Sequence, residues 1–154
     1  MGCDIHMYIE KKKNGKWIPA QGFMQTGNRE NDVPDVPFHD QFNQRNYALF
    51  GFLAGVRIPE LKHFEPQGFP DDASKEVKDV YNEWGTDAHT PSYLLLKELQ
   101  TIPWDDLIDY PDYYEKPAKL RDAFSEFYDL VYWLNSYDYT CNPDEIRIVF
   151  WFDN

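Results

Sequence analysis

Over the first ten residues, apolar and polar side chains alternate. Ile5, Met7 and Ile9 face one way, and Asp4, His6, Tyr8 and Glu10 the other, which is the period of a β-strand. Asn14-Gly15 and then Lys16-Trp17-Ile18 follow, so the spacing predicts a β-hairpin closed by a two-residue turn. From Gly22 to Asp40 no apolar period holds, and the frequent Gly, Asn, Asp and Pro predict a long loop. Apolar residues at 49, 50, 53 and 56 predict a short buried helix between Arg45 and Val56, with Gly55 as candidate C-cap. After a loop from Pro59 to Asp72, Asp72 is the candidate cap of a helix through Val77, Val80, Tyr81 and Trp84, stopped by Gly85. Thr90-Pro91 has the form of another helix start, Thr at the N-cap and Pro in the first turn, ahead of Leu94, Leu95, Leu96 and Leu99. A Pro- and Asp-rich loop from Ile102 to Pro117 leads to Leu120, Phe124, Phe127, Val131 and Leu134. Their spacing of three and four predicts the longest helix. The run Ile146 to Phe152 is apolar on both faces, as in a central strand, and is expected to pair with the first strand. The expected fold is one α+β domain over residues 1–154, a small, mainly antiparallel sheet of hairpin plus C-terminal strand, packed by three to four helices.

Composition narrows the function classes. With 42% hydrophobic and 18% aromatic residues in a chain of 154, a packed core is expected and intrinsic disorder is not. Asp and Glu number 27 against 15 Lys and Arg. That balance argues against wrapping nucleic acid or lying on an anionic membrane, because both need clustered cations. The acidic excess is uneven, with 15 acidic and 11 basic side chains in residues 1–102 but 12 and 4 in residues 103–154. No apolar run approaches the roughly 20 residues of a membrane span. Asp4, His6 and Glu10 interrupt any N-terminal apolar segment, so a cytoplasmic location with Cys3 and Cys141 reduced is expected.

Candidate chemistry centres on two Asp-x-His pairs. Asp4 and His6 share one strand face, and Asp87 and His89 stand before the Thr90 helix start. Carboxylate and imidazole are ligands for Zn²⁺ or Mn²⁺, so Asp4, His6, Asp87 and His89 form a candidate divalent-metal set. The same four residues are candidate catalytic groups, a base with its orienting carboxylate. The plainer alternative leaves His6 on a half-exposed sheet face and Asp87 as a turn residue. A helix start at Thr90 and Ser92 would offer free N–H groups to an anion. Arg45 and Arg57, with Tyr47 between them, bracket the short apolar helix and could clamp a phosphate or carboxylate, or could pair with the many carboxylates. Cys3 lacks a sequence-adjacent cation that would activate it, and is either a buried small residue or a further ligand. Lys11-Lys12-Lys13 is expected to be a solvated hairpin end. Glycine-rich phosphate loops, G-x-S-x-G and H-E-x-x-H are all absent from the sequence.

Four segments carry a resemblance: Met1–His6 (MGCDIH), Arg45–Arg57 (RNYALFGFLAGVR), Gly68–Asp72 (GFPDD) and Trp84–Leu94 (WGTDAHTPSYL). Together they resemble a family of small proteins common in tailed bacteriophages and prophages. The resemblance runs to about Leu99 and weakens in the acidic last third. It implies a phage-associated accessory protein in a bacterial host cytoplasm and assigns no reaction. Three readings stand open. One is a metal-assisted hydrolase of a phosphoester or nucleotide. The second is a non-catalytic binder of a small anionic ligand such as a signalling nucleotide. The third is an acidic module that blocks a basic surface of a host protein.

Overall fold

In the computed structural model, which describes residues 2–20 and 45–154, the hairpin forms as expected. Strands β1 (Asp4–Lys13) and β2 (Lys16–Pro19) are joined by Asn14 and Gly15, both at positive φ (52° and 78°). That conformation matches the twist of the flanking strands and favours Asn-Gly. Strand β6 (Ile146–Asp153) lies antiparallel to β1, with Asp4 opposite Asp153 and Lys11 opposite Ile146. The long loop expected from Gly22 to Asp40 lies outside the described residues.

Helix α1 (Tyr47–Ala54) is the predicted apolar helix. The Asn46 side chain caps its start, and Gly55 ends it at φ 73°. Helix α2 (Lys75–Trp84) ends at Gly85 as expected, but Ser74 rather than Asp72 is its cap, accepting from the Val77 N–H at 3.3 Å. Asp72 is committed elsewhere, to Arg147 and Trp17.

The helix start at Thr90 is not formed. Residues Ala88–Leu95 are strand β3, antiparallel to β6, and the sheet order is β2-β1-β6-β3. Thr90 and Pro91 sit in a bulge between His89 and Ser92, with Thr90 at φ 50°. Proline cannot donate to a ladder, so an edge strand or a bulge accommodates it, and β3 offers both. Helix α3 is a single turn, Leu96–Leu99. The predicted longest helix divides at Phe124 (φ −118°, ψ 43°) into α4 (Leu120–Ala123) and α5 (Ser125–Leu134). Within the predicted loop, β4 (Leu107–Ile108) pairs with β5 (Ala118–Lys119). The α+β class holds, with five α-helices among the described residues, two of them single turns.

Both sheet faces are covered, which is why β6 carries apolar side chains on each. Ile5, Met7, Ile9, Ile148, Phe150 and Phe152 point into the larger core with α1, α3 and α5. Tyr8, Val149 and Trp151 point the other way, onto Val77 and Val80 of α2. On that second face lies a buried ionic clamp. Glu10, fully buried, accepts from the Ser74 N–H (2.7 Å) and from Arg147 Nε (2.8 Å), and Arg147 Nη2 lies 2.8 Å from the same carboxylate. The Arg147 guanidinium is stacked 4.0 Å from the Trp17 ring, with Tyr93 at 5.5 Å beyond, and Nη1 donates to Asp72 at 2.9 Å. Four strands and the cap of α2 are tied together there. Lys11 is likewise not a solvated hairpin end: its ammonium donates to Asp138 at 3.2 Å, and both side chains are largely buried.

Candidate functional site

Three of the four segments that carry the sequence motifs, those around Asp4, Arg45 and His89, meet at one end of the sheet, where β1 begins, β6 ends and β3 begins, whereas Asp72 of the fourth lies at the Glu10–Arg147 clamp. Asp4, Asp153 and Ala88 lie in one row across the three strands. Strand pleating then sorts the side chains by face.

On the α2 face, Asp4 and His6 stand two residues apart, as predicted. The His6 Nε2 and Asp153 Oδ2 atoms are 2.6 Å apart, a short imidazole–carboxylate contact. His6 is only 4% exposed. The Trp84 ring covers it with centroids 4.2 Å apart, and Trp151 lies at 6.2 Å. Directly opposed like charges destabilise a strand pair. Here Asp153 meets His6, and Asp4 accepts from Arg45 Nε at 2.9 Å. Arg45 rests against Gly2, where a Cβ would come within 2.1 Å of its guanidinium carbon. That hydrogen bond and charge hold the Arg45 guanidinium even more firmly protonated than usual.

On the α1 face, the buried Cys3 offers its N–H to the Tyr47 hydroxyl (3.3 Å), and the Arg57 guanidinium lies 5.0 Å from the Tyr47 ring. Burial pushes the Cys3 thiol above its ordinary value, against the hydrogen bond and charge of Arg57. Cys3 is thus the buried small residue of the two readings. Arg57 itself is exposed and sits at φ 67°, a left-handed conformation that costs a side-chain-bearing residue roughly 1–2 kcal/mol. Across the same face His89 lies over Phe152, centroids 6.0 Å apart, with Nδ1 3.0 Å from Thr90 Oγ1. Its Nε2 is buried with no hydrogen-bond partner among the described residues.

The two Asp-x-His pairs are therefore near in the fold but split by the sheet. His6 shares its face with Trp151, and His89 shares the opposite face with Phe152. Asp87 is exposed in the turn Gly85–Asp87. The predicted four-residue set does not assemble around one point. Among the described residues, no three His, Cys, Asp or Glu side chains group to hold a metal ion. The anion site expected from helix N–H groups at Thr90 and Ser92 is replaced by strand. There Ser92, buried, accepts from the Gln67 N–H at 2.9 Å and ties the preceding loop to β3.

Sequence reasoning missed Asp153 and Trp84. Asp153 is 147 residues from His6, so only the β1–β6 register finds it. Trp84 is the last residue of the predicted helix, and only the packing of α2 on the sheet brings its ring over His6.

Among the described residues, no helix is long and apolar enough to cross a membrane. Comparison of the chain with protein-family models, with curated proteins and with solved structures found no match.

Proposed function

We propose that this end of the sheet binds a small anionic ligand, held by Arg57 and Arg45, without chemical turnover. The observation that carries the reading is the backbone of Arg57. A non-glycine residue at φ 67° is strained, and such strain persists chiefly where position matters more than stability. Its guanidinium stacks near Tyr47, so little side-chain freedom is left to lose on binding. The planar fork then matches a phosphate or carboxylate. Arg45, paired with Asp4 on the opposite face and with its side chain 53% exposed, adds a second guanidinium to the same sheet end.

Binding is favoured over hydrolysis by the state of His6. A general base must reach the proton it takes, and His6 lies buried beneath Trp84. Its pairing with Asp153 supports a role in fastening β1 to β6 at the rim of the site. In the phage setting that the resemblance implies, such a protein would sequester a nucleotide or similar anion in the host.

Calorimetric titration with inorganic phosphate, nucleoside monophosphates and cyclic dinucleotides tests this on the native chain and on Arg57→Gly. Glycine adopts positive φ without strain, so this variant should keep the fold while losing at least about tenfold in affinity, or about 1.4 kcal/mol. The ligand should be recovered unchanged. Failure of every probe to bind, or equal binding by Arg57→Gly, refutes the reading. Conversion of a probe that disappears in His6→Asn returns the site to hydrolysis.

A further inference from the structure

A second concave site lies away from this sheet end, at the junction of α1, the turn Pro59–Leu61 and the segment from Pro103 to Asp109. It is a cavity of about 290 Å³. Phe52, Ile108 and Leu120 supply an apolar floor, each at least nine-tenths buried. Glu60, Asp106 and Asp109 stand exposed around it, with His63 stacked flat on Phe52 at 4.6 Å. Beside it Leu107 is 64% exposed, and Tyr113, stacked on Tyr110, is 52% exposed.

The charges of this cavity are not balanced from within. Among the described residues, no Lys or Arg lines it. The neighbouring cations are engaged elsewhere: Lys62 with Glu65 at 2.8 Å, and Lys119 and Arg121 both with Asp105. Glu60 accepts a hydrogen bond from the Tyr110 hydroxyl at 2.9 Å, a neutral partner that fixes the carboxylate and leaves its charge. These carboxylates and His63 do not close into a metal-holding group. An apolar floor with spread negative charge at its mouth fits a long aliphatic stem that ends in a positive head, which is the chemistry of lysine and arginine.

We infer that this cavity docks a single basic side chain, arginine or lysine, presented with an apolar neighbour by an extended segment of a partner protein. The basic head sits among Glu60, Asp106 and Asp109, and its stem lies on Phe52 and Ile108. The neighbouring apolar residue covers Leu107. The cavity, about 290 Å³, has room for one long side chain. This site is independent of the anion site, so either can fail without the other.

The test is fluorescence anisotropy with a fluorescein-labelled short peptide of alternating leucine and arginine. Otherwise identical peptides carry lysine, glutamine or glutamate in place of arginine. The arginine and lysine peptides should bind, and the glutamine and glutamate peptides should not. Asp106→Asn/Asp109→Asn should weaken binding at least about tenfold. Asp122→Asn/Asp129→Asn removes the same charge from exposed positions on α4 and α5, and should change binding less than about twofold. Unchanged melting temperatures confirm that both variants fold. Equal losses in the two variants would reduce the effect to diffuse attraction and overturn the proposal. So would equal binding of the glutamine peptide, or no binding of the basic ones.

Discussion

Removing the Glu10 charge should cost more stability than any surface change. The substitution Glu10→Gln keeps the shape but presents an amide where Ser74 and Arg147 donate. Arg147, with its side chain 3% exposed, would then keep only Asp72 as a charged partner, whose side chain is 65% exposed and screened. Stripping one partner from a buried ion pair costs about 3–5 kcal/mol, and the remaining Asp72 contact puts this case near the lower end, about 3 kcal/mol. For a domain of this size, that corresponds to a fall in melting temperature of roughly 6–12 °C. Arg147→Met should cost a similar amount, because it leaves Glu10 charged with the Ser74 N–H alone. The double variant Glu10→Gln/Arg147→Met buries no unpaired charge, and its amide oxygen can still accept from the Ser74 N–H. It should lose at least about 2 kcal/mol less than the two single losses added together. Urea unfolding at pH 7 followed by tryptophan fluorescence gives all three values. Single losses below about 1 kcal/mol, or strictly additive losses, would refute the assignment of this cluster as a charge-coupled clamp.

Gly51→Ala should destabilise by roughly 1–3 kcal/mol in the same assay, as overpacking does, because a Cβ there would come 2.4 Å from the Ile58 carbonyl oxygen, which is backbone and cannot swing aside. Asp72 gives an acid dependence. Burial raises its carboxyl, but Arg147, its own backbone and Trp17 together outweigh that and lower it below the ordinary range. A carboxyl lowered on folding stabilises above its unfolded value near 3.9 and loses this as pH falls through the folded value. Acid unfolding of Asp72→Asn should accordingly depend less on pH below about 4 than that of the native chain. Thiol labelling with iodoacetamide at pH 8 should modify Cys141 before Cys3, since Cys3 is fully buried. Faster labelling of Cys3, read by mass spectrometry of the peptides, would contradict the packing of the site.

What could be read from the chain was what neighbouring residues decide among themselves. The period-two run of Ile5, Met7 and Ile9, the Asn14-Gly15 turn and the Gly55 cap are local in cause, and each formed as expected. The doubly apolar Ile146–Phe152 run announced a central strand because both its faces needed covering. Thr90-Pro91 failed because the same dipeptide satisfies two local demands, a helix start and an edge-strand bulge. Only pairing with β6 chooses between them. Asp72 failed likewise, since a carboxylate suits a cap until a buried Arg147 competes for it. At the candidate site, Asp4 and His6 were legible as a face of one strand. Which face His89 would take depended on register with Phe152, and Asp153 became a partner of His6 only through the full β1–β6 ladder.

The central claim is that the sheet end bearing Arg57 holds an anion. The most direct measurement is a ¹H–¹⁵N correlation spectrum of the native chain titrated with inorganic phosphate, repeated on Arg57→Gly. Saturable shifts should gather on the amides of Cys3 to His6, of Tyr47 and Arg57, and of Ala88 to Thr90, and should vanish in the variant. Shifts gathered elsewhere in the fold, or unaltered by Arg57→Gly, would contradict it.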